Sequence, residues 1–478
     1  MTNPWQHRRG DVVVRHPRPA EMQPTIVSTP TPRRSKRNFA APSSLFLGII
    51  FLIFLGTILL ALPISNTINE QTPILTALFT STSAVTVTGL VVKESSSFWS
   101  PIGQGIILGL ILIGGMGWMT IAGFILILIR HRVSLSQRML LREHVGNSHV
   151  GQVTTTLGRA VTTFLIFQIV GGAILAVRFH ESVGMDWQQA VWQGFFHAIS
   201  GFNNAGFTII PNSQSLSIFS SDFLVIGVMT ILIILGGLSF PVISEIFRLR
   251  NFKLYGLDTK FVTSWSLVLW FLGTLVIFIF EREKSFGAMN TSQQFINSLF
   301  HSVSARAAGF TTIEISLLTD TVGFFIVGLM FIGTASASVG GGIRLNTFGV
   351  LISTVSASVR GKESVTAFRR EISPEQVQRA IAVWGLASIF IFLATILLTF
   401  TEFNSRDFIN LLFETVSAIG TVGLSRGTTP ELSALGQILI ILSMVLGRLG
   451  PLMLGVYLAD RELHAPLFRY ARERVNIG

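Results

Sequence analysis

Four glycines, Gly89, Gly206, Gly309 and Gly423, stand 117, 103 and 114 residues apart, each inside a similar stretch. The stretches read LFTSTSAVTVTGLVV from Leu78, FFHAISGFNNAGFTII from Phe195, LFHSVSARAAGFTTI from Leu299 and LFETVSAIGTVGLSRG from Leu412. Each has an aromatic-led helical piece, a serine partway along, and a glycine followed by Leu or Phe. Phenylalanine precedes glycine by ten residues in three copies (Phe79, Phe196, Phe413) and by nine in the third (Phe300). A long-period repeat of this kind sets the architecture before any single residue is read. The chemistry it offers is that of the backbone. Chain that follows a short helix at membrane depth can turn carbonyl oxygens toward a cation in place of its hydration shell. Glycine takes positive φ at such a turn without steric cost. One stretch alone could serve close helix packing; four in register point to a shared axis.

The elements that must position these stretches follow from composition. Hydrophobic residues make up 49% and charged residues 12%, about half the charged share of a soluble domain. The chain is a polytopic membrane protein. It contains no cysteine, which excludes disulfides and thiolate metal sites. Ser44–Leu62 is a first span, long enough for about 30 Å of hydrocarbon. Pro73–Ala84 is too short to cross, and Ile102–Ile129 returns to Arg130, His131 and Arg132. The same triplet recurs as 154–177, 187–199 and 222–247; as 261–280, 293–303 and an interrupted 322–359; and as 377–400, 408–418 and 432–458. The fold class expected is all-α: four outer helix–pore helix–inner helix units, eight spans and four re-entrant segments, around one ion path. The units cover 43–132, 150–250, 258–360 and 377–460. A disordered basic tail, 1–42, precedes them and a cytoplasmic tail, 461–478, follows. Short helices aimed at one axis present partly negative C-terminal ends to it, which favours a cation. Irregular backbone at that depth is tolerated where protein buries it or water lines it.

Charge sets the sidedness. The segments 1–40, 130–159, 245–260, 344–379 and 458–478 hold 27 of the 35 Lys and Arg but 11 of the 24 Asp and Glu. Basic loops mark the cytoplasm, so both termini are expected inside. Topology therefore accounts for the net charge of +11, and no nucleic-acid partner is expected. The first 40 residues lack the apolar core of a signal peptide.

The stretches resemble the filter segments of the Trk/Ktr/HKT superfamily of cation transporters, over roughly residues 43 to 460. Thr86-Val87-Thr88-Gly89-Leu90 and Gly420-Thr421-Val422-Gly423-Leu424 carry the likeness best. Asn203-Asn204-Ala205-Gly206-Phe207 and Arg306-Ala307-Ala308-Gly309-Phe310 carry it more weakly. No further helix pair is expected before the first unit, which makes the chain similar to the Ktr-type membrane subunits more than to the longer Trk type. The resemblance implies K+ bound along the four filter segments, potassium uptake driven by membrane potential, and one glycine per filter strand with correspondingly relaxed discrimination against Na+. It leaves sodium dependence open. It implies a membrane homodimer in a bacterial plasma (inner) membrane, and a KtrA-like cytoplasmic ring of nucleotide-binding regulatory subunits. The chain has no GxxxxGK[ST] or GxGxxG of its own, so ATP/ADP or NAD(H) is expected on that partner and no cofactor here. The third stretch departs from the pattern: it is one residue short, and Arg306 beside the filter is expected behind it, toward a carboxylate such as Glu414.

Residues 333–346, GTASASVGGGIRLN, interrupt what should be one inner helix. Gly340, Gly341 and Gly342 each cost about 1 kcal/mol in a helix interior, so this piece is expected to unwind from Gly333. The family places an intramembrane gating loop in this unit, with Ser336, Ser338 and Asn346 supplying polar groups to hold it. Arg448 is the charge placed deep in the last inner helix, where it costs about 3 kcal/mol or more. It would repel cations or hold the loop by hydrogen bonds, and Pro451 would kink the helix after it. A kink for packing and a structural ion pair are the plainer readings of these two features. Nine scattered histidines show no metal-ligand spacing, and His197 and His301, at equivalent places, read as structural. A membrane-embedded enzyme lacks a nucleophile–base pair or metal cluster. A sodium-selective or sodium/potassium symporting member and a non-conducting sensor stay open as alternatives.

Overall fold

The helices of the computed structural model follow the apolar runs closely. In chain order they are α1 (Ala40–Ala61), α2 (Ile74–Thr86), α3 (Pro101–Met116), α4 (Val153–Val183), α5 (Trp187–Phe202), α6 (Phe223–Gly237) and α7 (Phe240–Leu249). There follow α8 (Leu257–Glu281), α9 (Thr291–Ser304), α10 (Asp320–Phe331), α11 (Leu345–Val359), α12 (Pro374–Thr401), α13 (Phe408–Gly420) and α14 (Ala434–Leu449). A small antiparallel hairpin, β1 (Thr366–Ala367) with β2 (Arg370–Glu371), joins α11 to α12. The structure describes residues 40–116, 153–211, 215–336, 338–402 and 407–450. The basic tail up to residue 39, Arg130 to Arg132, Pro451 and the C-terminal tail lie outside the described residues.

Among the described residues, α4, α8 and α12 are long and apolar enough to cross a membrane, with a fourth span if α6 and α7 count as one. The eight spans expected from the sequence, one of them interrupted, are therefore not all met by length among the described residues. Two breaks explain part of the difference. The 222–247 run is not one helix: α6 and α7 meet at a 103° bend. Leu238 and Ser239 are extended there, and Pro241 falls in the first turn of α7, where its missing N–H and fixed φ suit a helix start and oppose a continuation. The second break is the glycine-rich segment between α10 and α11.

Four buried apolar clusters hold the short helices α2, α5, α9 and α13. Each of the phenylalanines that lead the repeated stretches is fully buried, and each lies in a different cluster. Phe196 of α5 packs with Leu60, Ile107 and Ile111 of α1 and α3. Phe300 of α9 packs with Leu175, Val225 and Met229 of α4 and α6. Phe413 of α13 joins Leu269, Val322 and Ile326 of α8 and α10. Phe79 of α2 closes the circle among Leu398, Ile440 and Met444 of α12 and α14. Every short helix thus anchors in the helix pair of the stretch before it, at about 3–5 kcal/mol per phenylalanine by the cost of truncation to alanine.

Polar ties join the two longer helices on either side of three of these short helices. The Glu281 carboxylate at the end of α8 accepts from Thr319 N (2.9 Å) and Oγ1 (2.7 Å), the N-cap of α10. Glu402 does the same for Ser433, the N-cap of α14, at 3.0 and 2.6 Å. Arg178 of α4 donates to Asp222, the N-cap of α6, at 2.7 Å.

Candidate ion path

The four glycines meet. Their φ angles are 89° at Gly89, 73° at Gly206, 70° at Gly309 and 90° at Gly423, a region that other residues rarely adopt. Close approach makes a second demand. A Cβ on Gly89 would strike the Ala205 carbonyl oxygen, one on Gly309 that of Val422, and one on Gly423 that of Thr88. On Gly206 it would lie 2.7 Å from the Ala308 carbonyl oxygen. Each glycine abuts the carbonyl of the next strand, in the order first, second, third, fourth and back to the first. The carbonyls of Thr88, Ala205, Ala308 and Val422 accept no hydrogen bond among the described residues. A cavity of about 400 Å³ opens on one side of this ring, lined by the four glycines together with Glu94 and Glu314.

The repeated serine is what holds each strand, a role that the sequence reading did not assign. In the first and fourth strands its hydroxyl accepts: Gly89 N donates to Ser83 Oγ at 3.0 Å and Gly423 N to Ser417 Oγ at 3.1 Å. In the second and third it donates instead, Ser200 Oγ to Phe207 O at 2.8 Å and Ser304 Oγ to Phe310 O at 2.6 Å. Three of the short helices pass into their strand through a left-handed residue, Val87 (φ 56°), Asn204 (φ 54°) and Thr421 (φ 48°). For the β-branched pair this is strained backbone, of the sort that surrounding structure must impose. The third strand has none. Ala305 leaves α9 in the right-handed region (φ −60°), and Ala308 N and Gly309 N both reach back to Ser304 O. The residue missing from the third stretch is therefore the left-handed one.

The side chains of the residues expected to form the filter bond to, or pack against, the surrounding helices and strands. Thr86 Oγ1 donates to Thr82 O (2.7 Å) and meets Thr88 Oγ1 (2.8 Å). Asn203 Nδ2 donates to Ile199 O at 2.9 Å. Ala307 and Ala308 are buried, and Gly420 packs against Met330 O. Arg306 is buried behind the ring, where it donates to Gly333 O at 2.7 Å and faces the Trp270 ring at 5.7 Å. The suggested pairing with Glu414 is not formed. Glu414, fully buried, accepts instead from Ser425 Oγ and from Thr429 Oγ1 (2.6 Å), tying α13 to the chain just beyond its own strand. His301 occupies the equivalent place in α9 and contacts Thr312 Oγ1 at 3.1 Å. His197 in α5 bonds only to Gln193 O, at 2.7 Å, among the described residues.

Directly against the ring lies the segment between α10 and α11. Its neck is closed by Gly333 N to Ile343 O (2.9 Å) and Leu345 N to Thr334 O (3.0 Å). Gly341 approaches Thr421 so closely that a Cβ would collide with its hydroxyl, and Gly340 is pressed against Thr334 and Ala307. Gly342 takes a φ of 73°. Ser338 bonds within the loop, to Thr334 Oγ1 and Ala335 O at 2.7 Å each. Ser336 is exposed, and Asn346 reaches out to Asp258 at 3.1 Å. Backbone donors of the loop find the end of α6: Ala335 N bonds Gly237 O (3.2 Å) and Val339 N bonds Gly236 O (3.4 Å).

Arginines take up the loop's carbonyls. Arg448 of α14 donates to Val339 O and, from its other nitrogen, to Gly114 O and Gly115 O (3.3 Å) of α3. Arg344 donates to Gly340 O and Ala335 O (3.4 Å), and Arg306 holds Gly333 O. None of the three pairs with a carboxylate among the described residues. Arg344 was missed as a holding group: it lies within the expected 333–346 loop but was counted with the basic run 344–379 as cytoplasmic.

Comparison with known proteins agrees with this geometry. A family profile described as a cation transport protein, TrkH, matches residues 49–462. The chain belongs to the TrkH family of cation transport proteins. Members of this family are transporters, not enzymes. The chain is 37% identical over 419 residues to the Ktr system potassium uptake protein B of Bacillus subtilis, covering 87% of this chain and 92% of that one. It is 31% identical to the potassium/sodium uptake protein NtpJ of Enterococcus hirae, over 93% of this chain and 99% of the relative. Its fold matches the potassium transporter TrkH of Vibrio parahaemolyticus with a TM-score of 0.69 at 18% identity, covering 90% of this chain and 87% of that structure.

Proposed function

We propose that the chain is the ion-translocating membrane subunit of a potassium uptake system. K+ would pass through the glycine ring from the side of the Glu94 and Glu314 cavity, and the 333–346 loop would gate its exit. The observation that carries this reading is the closure of the ring: each of the four glycines abuts a carbonyl of the next strand, and those four carbonyls accept no hydrogen bond among the described residues. Such carbonyls substitute for water around a cation. Resemblance to the Ktr relatives favours K+, and all four glycines are present. In the same reading eight spans form four units, the basic loops and both termini face the cytoplasm, and two copies associate in the membrane. A ring of nucleotide-binding subunits would act on the loop from the cytoplasmic side. The likeness to NtpJ supports a second reading, in which Na+ shares the path or is required for it.

Rubidium flux into liposomes carrying the purified protein tests the proposal. The parent is expected to conduct K+ and Rb+. Gly423→Ser should lose preference over Na+, and deletion of 334–339 should raise flux. Absence of flux under every condition, with the loop deleted and a regulatory partner supplied, would favour the non-conducting sensor.

A further inference from the structure

The bend after α6 turns α7 about 103° away from it. If α6 crosses the bilayer, α7 lies in the plane of its surface. One face of α7 carries Val242 and Ile246, which pack into or against the apolar cluster of α8 and α10, and the buried Ile243. The opposite side and the chain after it expose Phe247 (65%), Phe252 (44%) and Leu254 (61%) beside exposed Arg248, Arg250 and Lys253. These three basic groups make no ion pair among the described residues. The nearby acids are engaged elsewhere: Glu245 accepts from Gly256 N (2.8 Å) and Thr259 Oγ1, and Asp258 from Asn346. Apolar side chains interleaved with unpaired basic ones, on a helix parallel to the bilayer, match an interface of acyl boundary and negatively charged headgroups.

We infer that the surface formed by Phe247, Arg248, Arg250, Phe252, Lys253 and Leu254 docks on anionic phospholipid headgroups, and that this docking keeps the 333–346 loop closed. The coupling is short. The Gly236 and Gly237 carbonyls that accept from Val339 N and Ala335 N end α6, immediately before the bend. A second link runs from Glu245 through the start of α8 to Asn346 at the foot of the loop. Fixing α7 to the leaflet fixes both anchors. The gating half of this inference rests on the proposed ion path; the lipid half does not.

The absence of native cysteine allows a single label. Phe247→Cys, carrying a fluorophore, is reconstituted in vesicles with brominated phosphatidylglycerol or brominated phosphatidylcholine at equal mole fraction. Each basic side chain near a negative surface strengthens attraction about five-fold. Quenching by the anionic lipid is therefore expected to exceed that by the neutral one several-fold. The preference should vanish in R248Q/R250Q/K253Q and persist in R248K/R250K, which keeps the charge and controls for folding. Equal quenching by the two lipids, or a preference that survives neutralisation, overturns the docking. Rubidium flux then reads the coupling. The neutralised triple variant should raise unstimulated flux several-fold in the full chain and change nothing once residues 334–339 are deleted. An unchanged flux in the full chain, or an equal rise without the loop, overturns the gating half. Selective quenching with no flux from any variant would sink the transport reading and the gating half with it, and leave the docking supported.

Discussion

The glycine ring and the loop beside it are both irregular, glycine-rich backbone packed within the protein, yet their carbonyls have opposite fates. In the ring, serines satisfy Gly89 N and Gly423 N while the carbonyls of Thr88, Ala205, Ala308 and Val422 have no donor among the described residues. In the loop, Arg306, Arg344 and Arg448 donate to the carbonyls of Gly333, Ala335, Val339 and Gly340. On the proposed ion path the same peptide chemistry would be offered to a passing cation in one place and withheld in the other. Guanidinium suits the second task because it keeps its charge and spreads several donors in a plane. It adds a positive charge where a cation would have to pass.

That contrast can be broken at the ring first. Gly423→Ala combines a φ of 90° with a collision against the Thr88 carbonyl, and should reduce rubidium flux by at least about 10-fold. Gly206→Ala, whose Cβ would stand 2.7 Å from the Ala308 oxygen, should be milder in the same assay. At the loop the sign reverses. Hydrogen bonds to charged groups contribute about 1.5–3 kcal/mol each, so Arg448→Gln should raise unstimulated flux by about 10-fold, measured without any regulatory partner. A fall in flux would instead assign Arg448 to holding the pore together.

The two kinds of serine give a finer comparison. Ser417→Ala strands the Gly423 N–H, whereas Ser200→Ala removes a donor from a carbonyl that has a second lone pair. The first should lower the K+ over Na+ preference more than the second, as read by competition of Na+ with rubidium uptake. Asn346→Ala removes one 3.1 Å bond to Asp258 at the foot of the loop and should change flux by about two-fold or less.

Much of this layout was legible in the sequence, for reasons that differ by element. The short helices were readable because Phe79, Phe196, Phe300 and Phe413 each begin a repeated pattern, and an apolar helix too short to span must stop inside. Gly340 to Gly342 gave away the unwound segment, since no helix interior keeps three adjacent glycines cheaply. Partners were not readable. The Glu414 carboxylate bonds to Ser425 and Thr429 just past its own strand, and Arg306 reaches a carbonyl 27 residues away. A guessed ion pair between them overlooked that backbone oxygens can satisfy a guanidinium. Arg344 was obscured by the basic run that follows it. The α6–α7 bend did have a signal, Pro241, but an unbroken apolar stretch outweighed it.

The third strand lacks the residue that the other three place in the left-handed region, and it still closes the ring. A tetramer of identical chains could not lose that residue in one quarter alone, since every mutation in such a pore is copied four times. Here one codon alters one wall. Each side of the ring can be altered or probed by substitution on its own while three neighbours hold the template.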